Sequence, residues 1–123
     1  MNEGLFWLGV NIYHEARGES LEGQIAVGHV VLNRAEKKHR DVKSIVLQPY
    51  QFSWRNNNTF PPIGNYEALR KSFVAAYEVL AKRMEGKTLQ GADHYFADYI
   101  DPPSWADEMT EVVKIGKHTF YRE

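Results

Sequence analysis

The sequence predicts a mainly helical α+β fold, in which a helical body is followed by a small β-hairpin-containing cap at the carboxyl end. Apolar residues recur at helical spacing over most of the chain up to Gly86. Beyond Gly86, short runs of β-branched and aromatic residues are separated by turn residues, as is typical of strands. With 123 residues, 43% of them hydrophobic, residues 1–123 have the size and composition of one domain with its own core.

The first two helices are predicted on either side of a glycine. Residues 3–16 carry an apolar stripe, and Gly18 is a natural stop for this helix. Ser20 then fits an N-cap, with Glu22 in the first helical turn. Residues 23–35 are apolar nearly all round. Their β-branched members would also suit a strand, but the length and the cap favour a central, closely packed helix.

Two more helices are predicted on either side of a long loop. Asp41 is placed to cap a short third helix that stops before Pro49. Residues 48–64 form a loop rich in aromatic and amide side chains, which is longer than a compact domain normally contains without a functional reason. Asn65 begins a fourth helix with one apolar face, which we expect to end near Gly86.

The predicted cap consists of one strand and one hairpin. Residues 94–97 have the composition of a strand, and residues 112–115 and 118–121 are expected to pair as a hairpin that turns at Gly116. The loop over residues 98–108 lies between the strand and the hairpin.

The composition excludes several classes of site and partner. The chain has 15 basic and 16 acidic residues, with a net charge of -1 and no long basic run of the kind that binds nucleic acid. It contains no cysteine, which excludes disulfide bonds and thiolate zinc sites. No span approaches the ~18 apolar residues of a membrane helix. We expect a monomer with neither a nucleic-acid partner nor membrane insertion.

The densest group of chemically capable side chains lies in residues 11–20. Glu15 stands at the predicted end of an apolar helix, where we expect it half-buried at the lip of a cleft. Such surroundings raise the pKa of a carboxyl group and suit it to general acid catalysis. Glu19 is the second catalytic candidate. A helix continuing through Gly18 would place the two glutamates one turn and about 6 Å apart, whereas a bend would favour a hydrogen-bonding role for Glu19.

Two other kinds of catalytic site are disfavoured by the sequence. His14-Glu15 begins like the zinc motif His-Glu-x-x-His, but Gly18 stands where the second histidine is needed. No Gly-x-Ser-x-Gly nucleophile elbow occurs. We therefore predict no metal site and no cofactor.

Acid–base cleavage of a glycosidic bond needs a positioned carboxyl group together with aromatic and amide side chains that hold the sugar chain. Such side chains are equally common in ordinary protein cores, so the composition alone does not distinguish a sugar-binding site from a core. The candidate substrate-binding residues are Gln51, Phe52, Ser53, Trp54, His94, Tyr95, Phe96 and Trp105.

Several segments, spread in order over nearly the whole chain, resemble the SleB-type cell-wall hydrolases, which include the spore-cortex-lytic enzymes. They are residues 13–19, 23–27, 31–34, 45–46, 51–53, 94–96 and 114–120. The resemblance implies a lysozyme-like helical body and cleavage of the linkage between N-acetylmuramic acid and N-acetylglucosamine in peptidoglycan. It further implies that the first glutamate of Glu-Ala-Arg-Gly-Glu, here Glu15, is catalytic, and it adds His118 to the candidate binding residues.

The resemblance leaves two chemistries open. In a lytic transglycosylase the 6-hydroxyl of the muramoyl sugar captures the reactive centre, so that Glu15 alone suffices. A muramidase would instead use water, with Glu19 assisting. A non-catalytic peptidoglycan-binding module is the alternative from another class. Residues 1–4 lack the features of a signal peptide, so we expect a phage endolysin released through a holin-made hole, or an exported enzyme trimmed of its signal.

Overall fold

The computed structural model describes residues 2–48, 52, 54 and 62–123, and in these residues the fold is mainly helical with one small sheet. The predicted fold class is confirmed. The helices are α1 (Glu3–Ala16), α2 (Leu21–Lys38), α3 (Val42–Leu47) and α4 (Tyr66–Met84). The strands are β1 (His94–Ala97), β2 (Thr110–Ile115) and β3 (His118–Arg122), and short 3-10 helices cover Leu89–Gly91 and Ser104–Asp107.

The N-caps predicted at Ser20 and Asp41 are confirmed, and Asn65, predicted as the start of the fourth helix, caps it in the same way. The side chain of Ser20 accepts a hydrogen bond from the backbone N–H of the third residue of α2, at 3.2 Å. Asp41 and Asn65 make the equivalent bonds for α3 and α4, at 2.8 and 3.0 Å. Each cap satisfies a backbone donor that the helix itself leaves without a partner, which is why these short polar residues mark helix starts. The predicted loop at 48–64 lies mostly outside the described residues.

The core forms where α1, α2 and α4 meet. Gly28 lets α2 approach α4, because a Cβ at this position would lie 2.6 Å from Cγ2 of Val79 and 3.2 Å from Cδ1 of Ile12. Gly9 likewise lets α1 approach α4, because a Cβ at this position would lie 2.3 Å from the ring of Phe73. The expectation of a closely packed central α2 is therefore confirmed. Within the described ranges, no helix is both long and apolar enough to cross a membrane.

The sheet is antiparallel, with β3 between β1 and β2. The hairpin turns at Gly116, as predicted, but β2 begins at Thr110 and its register slips between Glu111 and Val113. Because successive side chains point to opposite faces of a strand, the sheet presents two different surfaces. Phe120, which is fully buried, lies on the inner face and anchors the sheet to the helical core.

Candidate active site

Glu15 lies in the last turn of α1, half-buried, and faces the inner surface of the sheet. The hydroxyl of Tyr95, on β1, donates a hydrogen bond to Oε1 of Glu15 at 2.7 Å. Burial, the negative charge of Glu15 and this hydrogen bond together raise the pKa of Tyr95 well above its usual value. Tyr95 therefore keeps its proton and is a permanent donor to the carboxylate.

A half-buried cation, Arg34, lies near this pair. Nε of Arg34, on α2, donates to the backbone carbonyl of Asp93 at 2.7 Å, and the guanidinium lies over the ring of Phe52, 5.1 Å from its centroid. Burial lowers the pKa of the guanidinium, and the acidic groups of Tyr95, Asp93 and Glu15 oppose that shift. An arginine has so high an intrinsic pKa that it stays charged. Arg34 therefore supplies positive potential on the inner side of Glu15.

Trp54 is fixed against the same end of α1. Its indole N–H donates to Oδ1 of the buried Asn11 at 2.8 Å, and its ring stacks on His14 with centroids 4.4 Å apart. Burial, and then the positive charge of Arg17, lower the pKa of His14, which favours a neutral ring in this stack. The aromatic residue from the long loop thus borders the helix end that carries Glu15.

Glu19 is held by the hairpin at the opposite end of the sequence. Its Oε1 lies 3.0 Å from Nδ1 of His118 and accepts from the backbone N–H of Lys117 at 3.4 Å. Gly116 turns the hairpin with a φ of 59°, and a Cβ there would lie 3.1 Å from the same oxygen. The side chains of Glu19 and His118 are 15% and 13% exposed, so the contact is largely shielded from water. Glu19 therefore ties the α1–α2 turn to the β2–β3 turn.

The inner face of the sheet links the two glutamates. Tyr95 and His118 contact each other edge-on, with ring centroids 5.4 Å apart, and Tyr95 also packs on Phe120 at 5.5 Å. The structure thus brings together four of the predicted site residues, since Glu15 binds Tyr95 and Glu19 binds His118.

Three other predicted binding residues lie on the outer face of the sheet. Trp105, from the loop between β1 and β2, packs on His94 and Phe96 with centroid distances of 5.0 and 5.8 Å. Tyr121 completes this outer aromatic cluster, at 5.4 Å from Trp105 and 5.5 Å from Phe96. Alternation along β1 therefore divides the candidate binding residues between the two faces of the sheet.

The remaining predicted residues belong to the long loop. Phe52 is only 2% exposed and packs beneath Arg34, so its ring has no free face to stack on a sugar. Gln51 and Ser53 lie outside the described residues. Among the residues that are described, no group of three or more metal-ligating side chains could hold a metal ion.

Sequence reasoning did not select Asn11 or Arg34 as site residues. A charged residue near the end of the mostly apolar segment 23–35 is the signal that could have drawn attention to Arg34. A charge that is partly removed from water requires partners. Asn11 gives a weaker signal, a single amide on an apolar helix.

The chain thus folds into a small, mainly helical domain, in which the carboxyl group of Glu15 lies between the end of α1 and the sheet. Residues 18–121 match the family model described as Cell Wall Hydrolase, so the chain belongs to the cell wall hydrolase family. The match begins three residues after Glu15 and includes Glu19, Tyr95 and His118.

Similar proteins include spore cortex-lytic enzymes. The enzyme of Bacillus subtilis is 25% identical over 122 residues, which are 97% of this chain and 37% of that protein. The enzyme of Oceanobacillus iheyensis is 28% identical over 112 residues, which are 89% of this chain and 38% of that protein. The chain therefore spans little more than a third of the length of these relatives.

Two solved structures share the fold. The catalytic domain of the germination-specific lytic transglycosylase SleB from Bacillus anthracis superposes with a TM-score of 0.71 at 23% identity, covering 99% of this chain and 97% of that one. The catalytic domain of the Bacillus cereus SleB protein gives a TM-score of 0.68 at 25% identity, covering 98% and 91%. The whole described fold, sheet included, is thus that of these catalytic domains.

Proposed function

We propose that this protein is a peptidoglycan lytic transglycosylase that cleaves between N-acetylmuramic acid and N-acetylglucosamine, with Glu15 as general acid and then general base. The observation that supports this best is the carboxyl group of Glu15, half-buried at a helix end with Tyr95 donating to one of its oxygens. Membership of the cell wall hydrolase family and the likeness to the catalytic domain of a lytic transglycosylase support this choice of substrate.

In the first step, protonated Glu15 donates its proton to the glycosidic oxygen. The bond between that oxygen and C1 of the muramoyl sugar breaks, and positive charge develops at C1. As its proton leaves, Glu15 becomes a carboxylate, which is stabilised by the hydroxyl of Tyr95 and by the positive potential of Arg34. This stabilisation grows as the proton leaves, so it favours the transition state over the bound substrate.

In the second step, the 6-hydroxyl of the same sugar attacks C1 and transfers its proton to ionised Glu15. The product has a 1,6-anhydromuramoyl end, and Glu15 is again protonated, so the cycle closes without a second carboxylate.

The contacts that Glu19 makes with the hairpin favour formation of the 1,6-anhydro product over hydrolysis. A muramidase needs a carboxylate that is free to orient a water molecule. Oε1 of Glu19 instead accepts from Lys117 and lies against His118, and its side chain is 15% exposed. Glu19 is better suited to holding the hairpin, and through it the sheet face that carries Tyr95.

Substitution of Glu15 by glutamine tests the proposal. Glu15→Gln keeps the shape of the side chain but cannot donate and accept a proton in turn, so we expect release of soluble fragments from purified peptidoglycan to be abolished. Glu108→Gln, at an exposed loop position, is the matched control and should digest at the wild-type rate. A folded Glu15→Gln protein with wild-type activity would refute the assignment.

Mass spectrometry of the wild-type products separates the two chemistries. Anhydromuramoyl ends are expected, and reducing ends heavier by one water would establish a muramidase instead. Cosedimentation with insoluble wall without any released fragment would identify a binding module.

A further inference from the structure

A concave surface adjoins the proposed active site at the α1–α2 turn. This pocket has a volume of about 570 Å³ and lies between that turn and the first half of α4. Glu19 borders it, and so does Arg17, which follows Glu15 by only two positions. A Cβ built on Gly18 would meet no atom within 4 Å, so the turn leaves this side open.

The pocket is positively charged. Arg17, Arg70 and Lys71 line it, against the single acid Glu19, whose carboxylate the hairpin already engages. Arg70 is partly neutralised by an ion pair with Glu67 at 2.7 Å. Within the described part of the chain, no ion pair engages Arg17 or Lys71.

Two further features suit the pocket to a small acidic and partly apolar group. The N-terminus of α2, an 18-residue helix, opens at Ser20 and Leu21 in the pocket wall, and its dipole adds positive potential. The exposed side chains of Leu21 and Val74 provide apolar wall on either side of these charges. The lining therefore combines cations with surface for methyl groups.

The position of the pocket matches the geometry of a peptidoglycan strand. The stem peptide is attached through a lactyl ether to the same muramoyl sugar whose C1 carries the bond to be cleaved. Cα atoms two positions apart are separated by at most about 7 Å. A stem peptide leaving a sugar bound at Glu15 therefore reaches Arg17 within its first residues.

We propose that this pocket binds the stem peptide of the muramoyl residue at the cleavage site, with Arg17 and Lys71 contacting its carboxylate groups and Leu21 and Val74 contacting its methyl groups. The inference rests on the proposed function. It makes the protein selective for glycan strands that carry peptides over bare glycan strands.

Charge substitutions at Lys71 test the pocket, because this residue is exposed at the rim and has no part in the proposed chemistry. The two substrates are peptidoglycan glycan strands with their stem peptides and the same strands stripped of peptide by an amidase. We expect Lys71→Gln to lower kcat/KM on the peptide-bearing strands about threefold and Lys71→Glu about tenfold, with no change on the stripped strands. Lys71→Arg should restore the wild-type preference. Lys38→Glu, the same charge reversal in the last turn of α2, is the matched control.

Measuring ligand binding to the inactive Glu15→Gln protein distinguishes an error in the pocket proposal from an error in the proposed function. A soluble disaccharide-peptide should bind more tightly than the bare disaccharide, and Lys71→Glu in this background should remove the difference. Equal binding of the two ligands, or equal loss of activity on both substrates, would overturn the pocket proposal. Preserved selective binding by a wild-type protein that cleaves neither substrate would overturn the proposed function alone.

Discussion

Replacement of Tyr95 by phenylalanine is the sharpest test of how the site works. The substitution removes only the hydroxyl that donates to Oε1 of Glu15 at 2.7 Å. The ring remains, with its contacts to Phe120 at 5.5 Å and to His118 at 5.4 Å, so the sheet should stay in place. Any loss of activity then reports the hydrogen bond rather than the packing.

The size of the effect follows from the charge on the acceptor. A hydrogen bond to a charged group contributes about 2 kcal/mol, and this one is strongest when Glu15 has lost its proton. Loss of about 2 kcal/mol from the transition state corresponds to roughly a 30-fold decrease in kcat. KM should change little, because Tyr95 binds the carboxylate that we propose as the general acid, rather than the substrate.

The assay is the initial rate of fragment release from purified peptidoglycan, measured over a range of substrate concentrations. Tyr99→Phe, which removes the hydroxyl of a tyrosine that is 77% exposed, is the control and should leave the rate unchanged. A folded Tyr95→Phe protein whose kcat lies within about twofold of the wild type would refute the role given to this hydrogen bond.

Three further predictions concern the packing, the pH dependence and the second glutamate. Gly28→Ala should lower the free energy of unfolding by about 1–2 kcal/mol in urea titrations, because its Cβ would lie 2.6 Å from Val79. The buried His29, whose Nδ1 has no hydrogen-bond partner among the described residues, has a pKa lowered to about 4 by burial and then by two nearby cations. The unfolded chain therefore takes up a proton at a higher pH than the folded one, and stability should fall from pH 7.5 to 4.5, by about 2 kcal/mol from His29 alone. Glu19→Gln should keep activity within about threefold, since its amide oxygen accepts the same hydrogen bonds, whereas Glu19→Ala should lower the free energy of unfolding by about 1–2 kcal/mol.

Each of these predictions has a control and an outcome that contradicts it. Gly18→Ala, where a Cβ meets nothing, should be nearly neutral, and an equally mild Gly28→Ala would contradict the packing argument. His29→Leu should show a smaller loss of stability on acidification than the wild type, and an unchanged loss would exclude His29 as its source. If Glu19→Gln is as inactive as Glu15→Gln, then Glu19 takes part in the chemistry.

The helix boundaries could be predicted because their signals are local. Ser20, Asp41 and Asn65 each bond to a backbone N–H three positions further along the chain, so the pattern is contained in a short window of sequence. The division of the aromatic residues between two sheet faces is also encoded locally, by alternation. Which face packs on the helices depends on the whole core, and for that reason the sequence alone did not assign each aromatic residue to the inner or the outer face.

The contacts that make the candidate site could not be derived from sequence spacing. Glu15 and Tyr95 are 80 positions apart, and Arg34 meets the backbone of Asp93 across 59 positions. No periodicity or cap relates such residues, because their proximity results from how α1, α2 and the sheet pack. The resemblance to a family could point to Glu15. The partners of its carboxyl group, the hydroxyl of Tyr95 and the cation Arg34, could be identified only from the folded structure.

The central position of β3 has a consequence for the order in which the candidate site can form. Among the described residues, β1 and β2 each pair with β3, which spans His118–Arg122. Glu15 and Tyr95 are 80 positions apart, and contacts between such distant parts of a chain carry a cost in loop-closure entropy. Helix α1 can therefore form from local signals alone, whereas Glu15 gains its tyrosine partner only when the sheet has assembled around β3 and packed on the helices.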